Sequence, residues 1–542
     1  MSSSSLDELR LTGRQLAAVG RSGLLRPERP ASLVRMAREI RRRGPFAGMA
    51  PATAIRWGDR PVFVDDDGPV TARELDERST ALARALQADG ARAGQGAAIL
   101  CRNHRGFYDA FFATQKLGMK TVLLNTGFAA PQIVDVCARE GVTTLLFDAE
   151  FAASAPAGTE RHICMRSPDG SPGTADALAQ DLIAAQSGSV ALPIPEIPST
   201  VVVLTSGTTG TPKGAPREAI SPLASLGALL DRVPFRAGEA VYVAPPIFHG
   251  LGFATATLSF LLGTRVITSS RFDPREMLAA MSRYEVSGIV VVPAMLQRML
   301  DLGPDEIARH PTPGLRFIFC SGAQLPGHVA ERVQDTWGDV LHVLYGSTEC
   351  AYATISVPED HRAAPATVGR PCLGVTVKVL DDRRRELPVG ETGTIFVRSG
   401  NEFGGYTDGT RKEMVGGLMS SGDVGHFDAA GRLFIDGRDD DMIVSGGENV
   451  FPQEVEELLV RHPAITDVSV LGVDDETFGK RLAAFVVIAE GASLTADEAK
   501  GFVRENLAVY KVPRDVIFLD ELPRNPTGKI LKRELRAQVQ SV

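Results

Sequence analysis

Thr200-Val201-Val202-Val203-Leu204-Thr205-Ser206-Gly207-Thr208-Thr209-Gly210-Thr211-Pro212-Lys213-Gly214 runs from an apolar, β-branched segment straight into glycines and hydroxyls. The first five residues have the composition of a buried strand. The glycines that follow permit turns closed to other residues and leave backbone N–H groups bare. The hydroxyls add donors and Lys213 adds positive charge. A loop of this composition can wrap a polyphosphate. It is not a Walker A loop, because Gly214 stands where Ser or Thr would hold magnesium.

The same kind of strand recurs on both sides. Ala97–Cys101, Thr121–Leu124, Thr144–Phe147, Ala240–Val243, Gly288–Val292 and Leu315–Cys320 are apolar runs of strand length. Leu75–Ala88 and Arg275–Tyr284 have helical spacing, and Leu251–Leu262 reads as a buried helix too short to span a bilayer. Strands alternating with helices predict an α/β fold of mainly parallel sheets. After Arg370 the pattern changes to short strands with Gly turns, Thr376–Leu380 and Thr394–Arg398, which predicts a small β subdomain. From about 440 a helix over Glu454–His462, strands over Asp467–Val473 and Ala483–Ile488, and a helix over Ala496–Leu507 predict a compact α+β unit. The expected division is a basic extension over 1–50, a large N-terminal domain over 51–439, and a small mobile C-terminal domain over 440–542.

Composition narrows the function classes. The 542 residues are 44% hydrophobic and 23% charged, which is ordinary globular composition. A net charge of −8 argues against nucleic acid as a partner. The six cysteines have neither C-x-x-C nor zinc spacing, so reduced thiols in a cytosol are expected. The first residues, Met1–Leu6, carry no apolar core of a signal peptide. Only 10 of the 58 basic residues are lysine, a skew that fits a GC-rich bacterial genome and gives each motif lysine weight. Residues 1–50 hold ten Arg and four acids, net +6, and Arg35–Arg43 reads as a basic helical stretch. Two readings stand for it: a solvated helix packed on the domain surface, or a weak peripheral contact with anionic lipid, which would place a cytoplasmic protein at the inner membrane.

The loop at 205–214 resembles the phosphate-binding signature of the adenylate-forming superfamily, which includes acyl-CoA synthetases, carrier-protein adenylation domains and luciferases. The resemblance extends over about residues 50–540, with its motifs in order, and is strongest toward bacterial fatty-acyl-CoA synthetases. It implies that Thr205, Ser206, Gly207, Thr208, Thr209, Gly210 and Lys213 bind phosphates. In Tyr345-Gly346-Ser347-Thr348-Glu349 it implies that Tyr345 and Gly346 lie against adenine, Thr348 binds the α-phosphate and Glu349 holds magnesium. A hard cation prefers carboxylate oxygen, which suits Glu349 to that role. Asp423 and Arg438 are implied at the ribose; the family commonly has W-x-x-T-G-D there, and this chain has Ser421 for Thr and no Trp. Asp440 is the implied hinge, and Gly446 and Gly447 line the implied pantetheine channel. Lys529, within Pro523-Arg524-Asn525-Pro526-Thr527-Gly528-Lys529, is the implied adenylation lysine. His249, after Pro246-Ile247-Phe248, resembles an acyl-side gate, and Gly322, Ala323 and Gln324 resemble the segment between adenine and the acyl pocket.

The implied activity is an AMP-forming acid–thiol ligase using ATP, Mg2+ and coenzyme A. The carboxylate attacks the α-phosphorus of ATP, then a thiol displaces AMP. Small residues Gly250, Gly252, Ala254, Gly322 and Ala323, with few charges nearby, point to a medium- or long-chain fatty acid. Alternatives are an aryl or terpenoid acid, a carrier-protein phosphopantetheine as acceptor, or a non-catalytic acyl- or nucleotide-binding protein. The sequence sets no oligomeric state.

Overall fold

The computed structural model describes residues 3–25, 28–156, 158–186, 192–205, 213–217, 222–400, 402–403, 405–406, 409, 411–438, 443–445, 448–475, 479–507, 511–526 and 528–539. They form two compact units. One comprises Met1–Val291, Arg298–Phe319 and Gly400–Arg411; the other comprises Val292–Gln297, Cys320–Ser399 and Lys412–Val542.

The first unit carries a seven-stranded sheet with spatial order Ala177–Leu178, Arg161–Arg166, Val142–Asp148, Gly96–Leu100, Lys120–Leu123, Thr200–Thr205 and Lys213–Arg217. All neighbours are parallel except the last pair, where Thr205 stands opposite Lys213. The chain goes from Gly96–Leu100 to one neighbour, Lys120–Leu123, and then returns to the other, Val142–Asp148, so the order reverses there. Sheets of this kind bind ligands beyond the carboxyl ends of their strands, and 205 is such an end. Four parallel strands of a second sheet, Pro61–Asp65, Arg265–Ile267, Ala240–Val243 and Gly288–Val291, lie in the same unit, with Gly68–Thr71 antiparallel at the edge. Helix Arg105–Lys116 is buried all round and places Phe107, Tyr108, Phe111 and Phe112 among Phe63, Phe253 and Phe260. Its buried charges are paired, Asp109 with Arg78 at 2.6 Å and Lys116 with Asp76 at 2.7 Å, which is what allows a helix that carries them to be enclosed. The N-terminal segment is part of the fold: Ala18 and Val19 are buried, and Gln15 lies directly over Gly227 of helix Pro222–Arg232.

The second unit holds a five-stranded antiparallel sheet built on Thr376–Leu380, Gly393–Arg398, Leu418–Phe427 and Leu433–Arg438, the expected β subdomain. The C-terminal part is α+β. Strand Gly479–Ile488 pairs antiparallel with Ile465–Asp475 and parallel with Asp515–Leu519. Its side chains alternate between two cores. Leu482, Ala484 and Val486 pack with Val455, Leu459 and Val503, whereas Ala483 and Phe485 pack with Leu522 and Leu535.

Candidate active site

Four motifs meet in the second unit. Strand Leu341–Tyr345 ends in the turn that carries Gly346, Thr348 and Glu349. Ser347 Oγ accepts the N–H groups of Glu349 and Cys350 at 3.2 and 3.3 Å, which fixes the turn. A Cβ on Gly346 would collide with the Ala351 carbonyl oxygen, and Ala351 itself adopts a left-handed φ of 65°. Only glycine at 346 allows the chain to fold back this tightly. Thr348 and Glu349 are half-buried on this turn.

Asp423 and Arg438 are opposed across the antiparallel strands Leu418–Phe427 and Leu433–Arg438. Ser421 Oγ accepts the Asp423 N–H at 3.1 Å and donates to the Ile395 carbonyl at 2.9 Å. The serine therefore supplies the hydroxyl that threonine supplies in the resembling motif. Tyr345 donates its phenolic hydrogen to Asp423 Oδ2 at 2.7 Å. Burial, then the Asp423 charge, push the Tyr345 pKa well up, so it stays a neutral donor.

Lys529 joins this group. Its loop is closed by Asn525, whose Oδ1 accepts the Lys529 N–H at 2.9 Å and whose N–H donates to the Lys529 carbonyl at 2.8 Å. Arg524 ties the loop to Asp467 at 2.7 Å. Gly528 has φ +81°, and a Cβ there would stand 3.2 Å from Ala294 and 3.4 Å from Val292. Lys529 keeps solvent-accessible surface, yet protein closes around it enough for burial to lower its pKa. The neighbouring Arg438 charge lowers it further, opposed by Asp423 and Glu349. Two carboxylates and two cations therefore share one site. The hard oxygen donors of Glu349 fit Mg2+, and the cations fit phosphate.

The segment after Cys320 lies in the same unit. Ser321 Oγ donates to the Leu344 carbonyl at 2.9 Å, and Gly322 and Ala323 are exposed. Gln324 turns its amide nitrogen toward the Ile435 carbonyl at 3.3 Å and Glu457 Oε1 at 3.4 Å.

His249, Thr205 and Lys213 belong to the first unit. His249 is half-buried at the N-cap of helix Gly250–Leu262, and its ring centroid lies 5.5 Å from that of Phe248. The loop before it is held by Asn103, which sequence reasoning missed. Asn103 donates to the Pro245 carbonyl at 3.0 Å and accepts the Ile247 N–H at 2.9 Å. A single asparagine carries no pattern that would have flagged it. At Gly252, expected on the acyl side, a Cβ would collide with the Pro245 and Pro246 carbonyls. Ser206, Gly207, Thr208, Thr209, Gly210, Asp440, Gly446 and Gly447 lie outside the described residues.

Among the described residues one cluster has metal-ligand composition: Cys101, His104 and Asp148, all buried. Its atoms are already engaged. His104 Nε2 lies 2.8 Å from Asp148 Oδ1, and its Nδ1 accepts the Gly106 N–H at 3.1 Å. Asp148 Oδ2 accepts the Arg102 N–H at 2.8 Å. Burial, then the Asp148 charge, push the Cys101 thiol well up, whereas a metal needs the thiolate. The cluster anchors the start of helix Arg105–Lys116.

The AMP-binding enzyme family matches residues 51–407, and the AMP-binding enzyme C-terminal domain matches residues 454–529. The chain belongs to this family. Feruloyl-CoA synthase of Amycolatopsis sp is 33% identical over 502 residues, covering 90% of this chain and 96% of the relative. The fatty acid–[acyl-carrier-protein] ligase ScoC of Streptomyces coeruleorubidus is 31% identical over 492 residues, covering 88% and 93%. Among solved structures, the amide bond synthetase McbA from Marinactinospora thermotolerans superposes with a TM-score of 0.80 at 27% identity, over 91% of this chain and all of that one. This AMP-binding enzyme is an adenylate-forming ligase of the acyl-CoA synthetase type, with ATP, Mg2+ and coenzyme A as its cofactors. No described helix of the enzyme is long and apolar enough to cross a membrane.

Proposed function

We propose that this enzyme activates a medium- or long-chain fatty acid as an acyl-adenylate and transfers the acyl group to coenzyme A. The observation that carries the reading is geometric: Tyr345 holds Asp423, Arg438 stands opposite Asp423 on the next strand, and Glu349 lies on the turn that leaves Tyr345, with Lys529 near enough to feel all three charges. In the first half-reaction a carboxylate oxygen attacks the α-phosphorus of ATP and pyrophosphate leaves. Two anions must approach, so the site has to neutralise charge. Lys529, Arg438 and Thr348 supply preorganised positive charge and donors. Asp423 accepts from the ribose hydroxyls, oriented by Tyr345. Mg2+, held by Glu349, offsets phosphate charge when bound. In the second half-reaction the CoA sulfur attacks the acyl carbonyl and AMP leaves. Lys529 then stands in the way. Residues 440–542 rotate about Asp440 as one body, relative to 51–439, and bring Gly446 and Gly447 to the pantetheine.

An alkyl acid is supported by the low charge around Gly250–Ala254 and by the fatty-acid specificity named for ScoC. A second reading, an aryl acid, is favoured by the similarity to feruloyl-CoA synthase. A panel of carboxylic acids assayed for pyrophosphate release with CoA present decides between them. Turnover confined to aryl acids supports the second reading. Adenylation without CoA thioester points to a carrier-protein acceptor. No pyrophosphate release with any acid overturns the activity.

A further inference from the structure

Helix Pro30–Arg43 precedes the residues matched by the AMP-binding family and has no buried residue. It rests on the first unit through its backbone: a Cβ on Gly48 would lie 2.7 Å from Ile40 Cα and 2.8 Å from the Glu39 carbonyl oxygen. Ser32, Met36, Glu39 and Arg43 are half-covered on that side. Leu33, Ala37 and Ile40, at helical spacings of four and three, line another side together with Val34. That side faces solvent: Leu33 is 48% exposed, Val34 67% and Ile40 38%. Arg38, Arg41 and Arg42 beside it are exposed as well. Residues 1–50 carry net +6 while the whole chain carries −8, so the remainder holds −14.

We propose that this helix is an interfacial docking element for an anionic lipid bilayer, with Leu33, Val34 and Ile40 inserted among the acyl chains and the arginines on the headgroups. An apolar strip bordered by arginines is the arrangement that binds at such an interface. The strongly negative remainder is repelled by the same surface, so attraction is confined to this end of the chain. A second protein is a poorer occupant. A 14-residue helix presents a strip roughly 20 Å long and 10 Å wide, far below the roughly 800 Å² per partner of a stable protein interface. Nucleic acid would leave the apolar strip without a partner. The inference goes beyond the proposed activity and does not depend on it, because binding is read without turnover.

The test is co-sedimentation of the full chain with vesicles of phosphatidylcholine alone or mixed equally with phosphatidylglycerol. Binding to the anionic vesicles only, weakening with salt, is expected. The triple variant R38Q/R41Q/R42Q should partition roughly a hundredfold more weakly. L33D/V34D should lose binding while keeping the wild-type circular dichroism spectrum, since both positions are already exposed. Failure of the wild-type chain to bind anionic vesicles overturns the proposal, as does wild-type binding by L33D/V34D. A dimer in sedimentation velocity that L33D/V34D dissolves would assign the face to a second copy instead and overturn it equally.

Discussion

Tyr345 and Asp423, 78 residues apart in sequence, share a hydrogen bond of 2.7 Å between the phenol and carboxylate Oδ2. The bond fixes how the carboxylate is turned, and with it the ribose contact proposed for Asp423. Tyr345→Phe keeps the ring and removes the bond. A hydrogen bond to a charged group contributes about 1.5–3 kcal/mol, and part of that is recovered by water at a half-buried site. The KM for ATP should rise severalfold, up to roughly tenfold, with kcat little changed. Initial rates of pyrophosphate exchange measure this, and an unchanged KM would remove the orienting role.

The role proposed for Lys529 separates the two half-reactions. Removing one preorganised donor from a charge-stabilising site typically costs about 10²–10³-fold in rate. Lys529→Ala should slow pyrophosphate release by that much and leave thioester formation from synthetic acyl-adenylate plus CoA nearly intact. Gly446→Leu should do the reverse. Equal losses in both half-reactions for both variants would refute domain alternation.

The lowered pKa of Lys529 gives a signed pH dependence. The lysine loses its proton at lower pH than a free lysine does, so adenylation should weaken as pH rises through that value. Lys529→Arg keeps its charge and should move the alkaline limb of kcat/KM for ATP to higher pH, at a lower plateau. The same alkaline limb in both proteins would assign the titration to another group.

Asn103→Ala should destabilise the first unit and loosen the loop that ends at His249. It strands the buried Ile247 N–H and removes the donor to the Pro245 carbonyl. An unsatisfied buried group costs about 1–3 kcal/mol. Urea denaturation should show a loss in that range, accompanied by altered preference among acids in the panel. Wild-type stability would mean that water replaces the amide.

Regular elements were legible where local pattern and tertiary fate agree. Ala240–Val243 and Thr376–Leu380 occur with the bounds read from sequence, and the helix read over Arg275–Tyr284 occurs over Pro274–Arg283. Buried parallel strands are apolar on both faces, so composition alone exposes them. The site was legible as motifs, not as contacts. Ser421 looked like a departure from the threonine pattern, yet it keeps the hydroxyl that holds the Asp423 N–H. The contacts of Val292, which lies 3.2 Å from a Cβ built on Gly322 and 3.4 Å from one built on Gly528, left no sequence signal, because packing between distant segments leaves no local periodicity. The close approach at Gly252 was not legible, since a glycine that admits a neighbouring carbonyl looks the same in sequence as one that widens a pocket.

The Asn525–Lys529 loop is knotted by its own backbone and clamped through Arg524 to Asp467 on a strand whose partner is covered on both faces. The lysine therefore has no private route out of the site. Under the proposed rotation, withdrawing it means hauling the whole C-terminal body through solvent, so the tempo of a catalytic cycle should follow the friction of the medium. A viscogen such as glycerol becomes a throttle on the enzyme, acting where no side chain is touched.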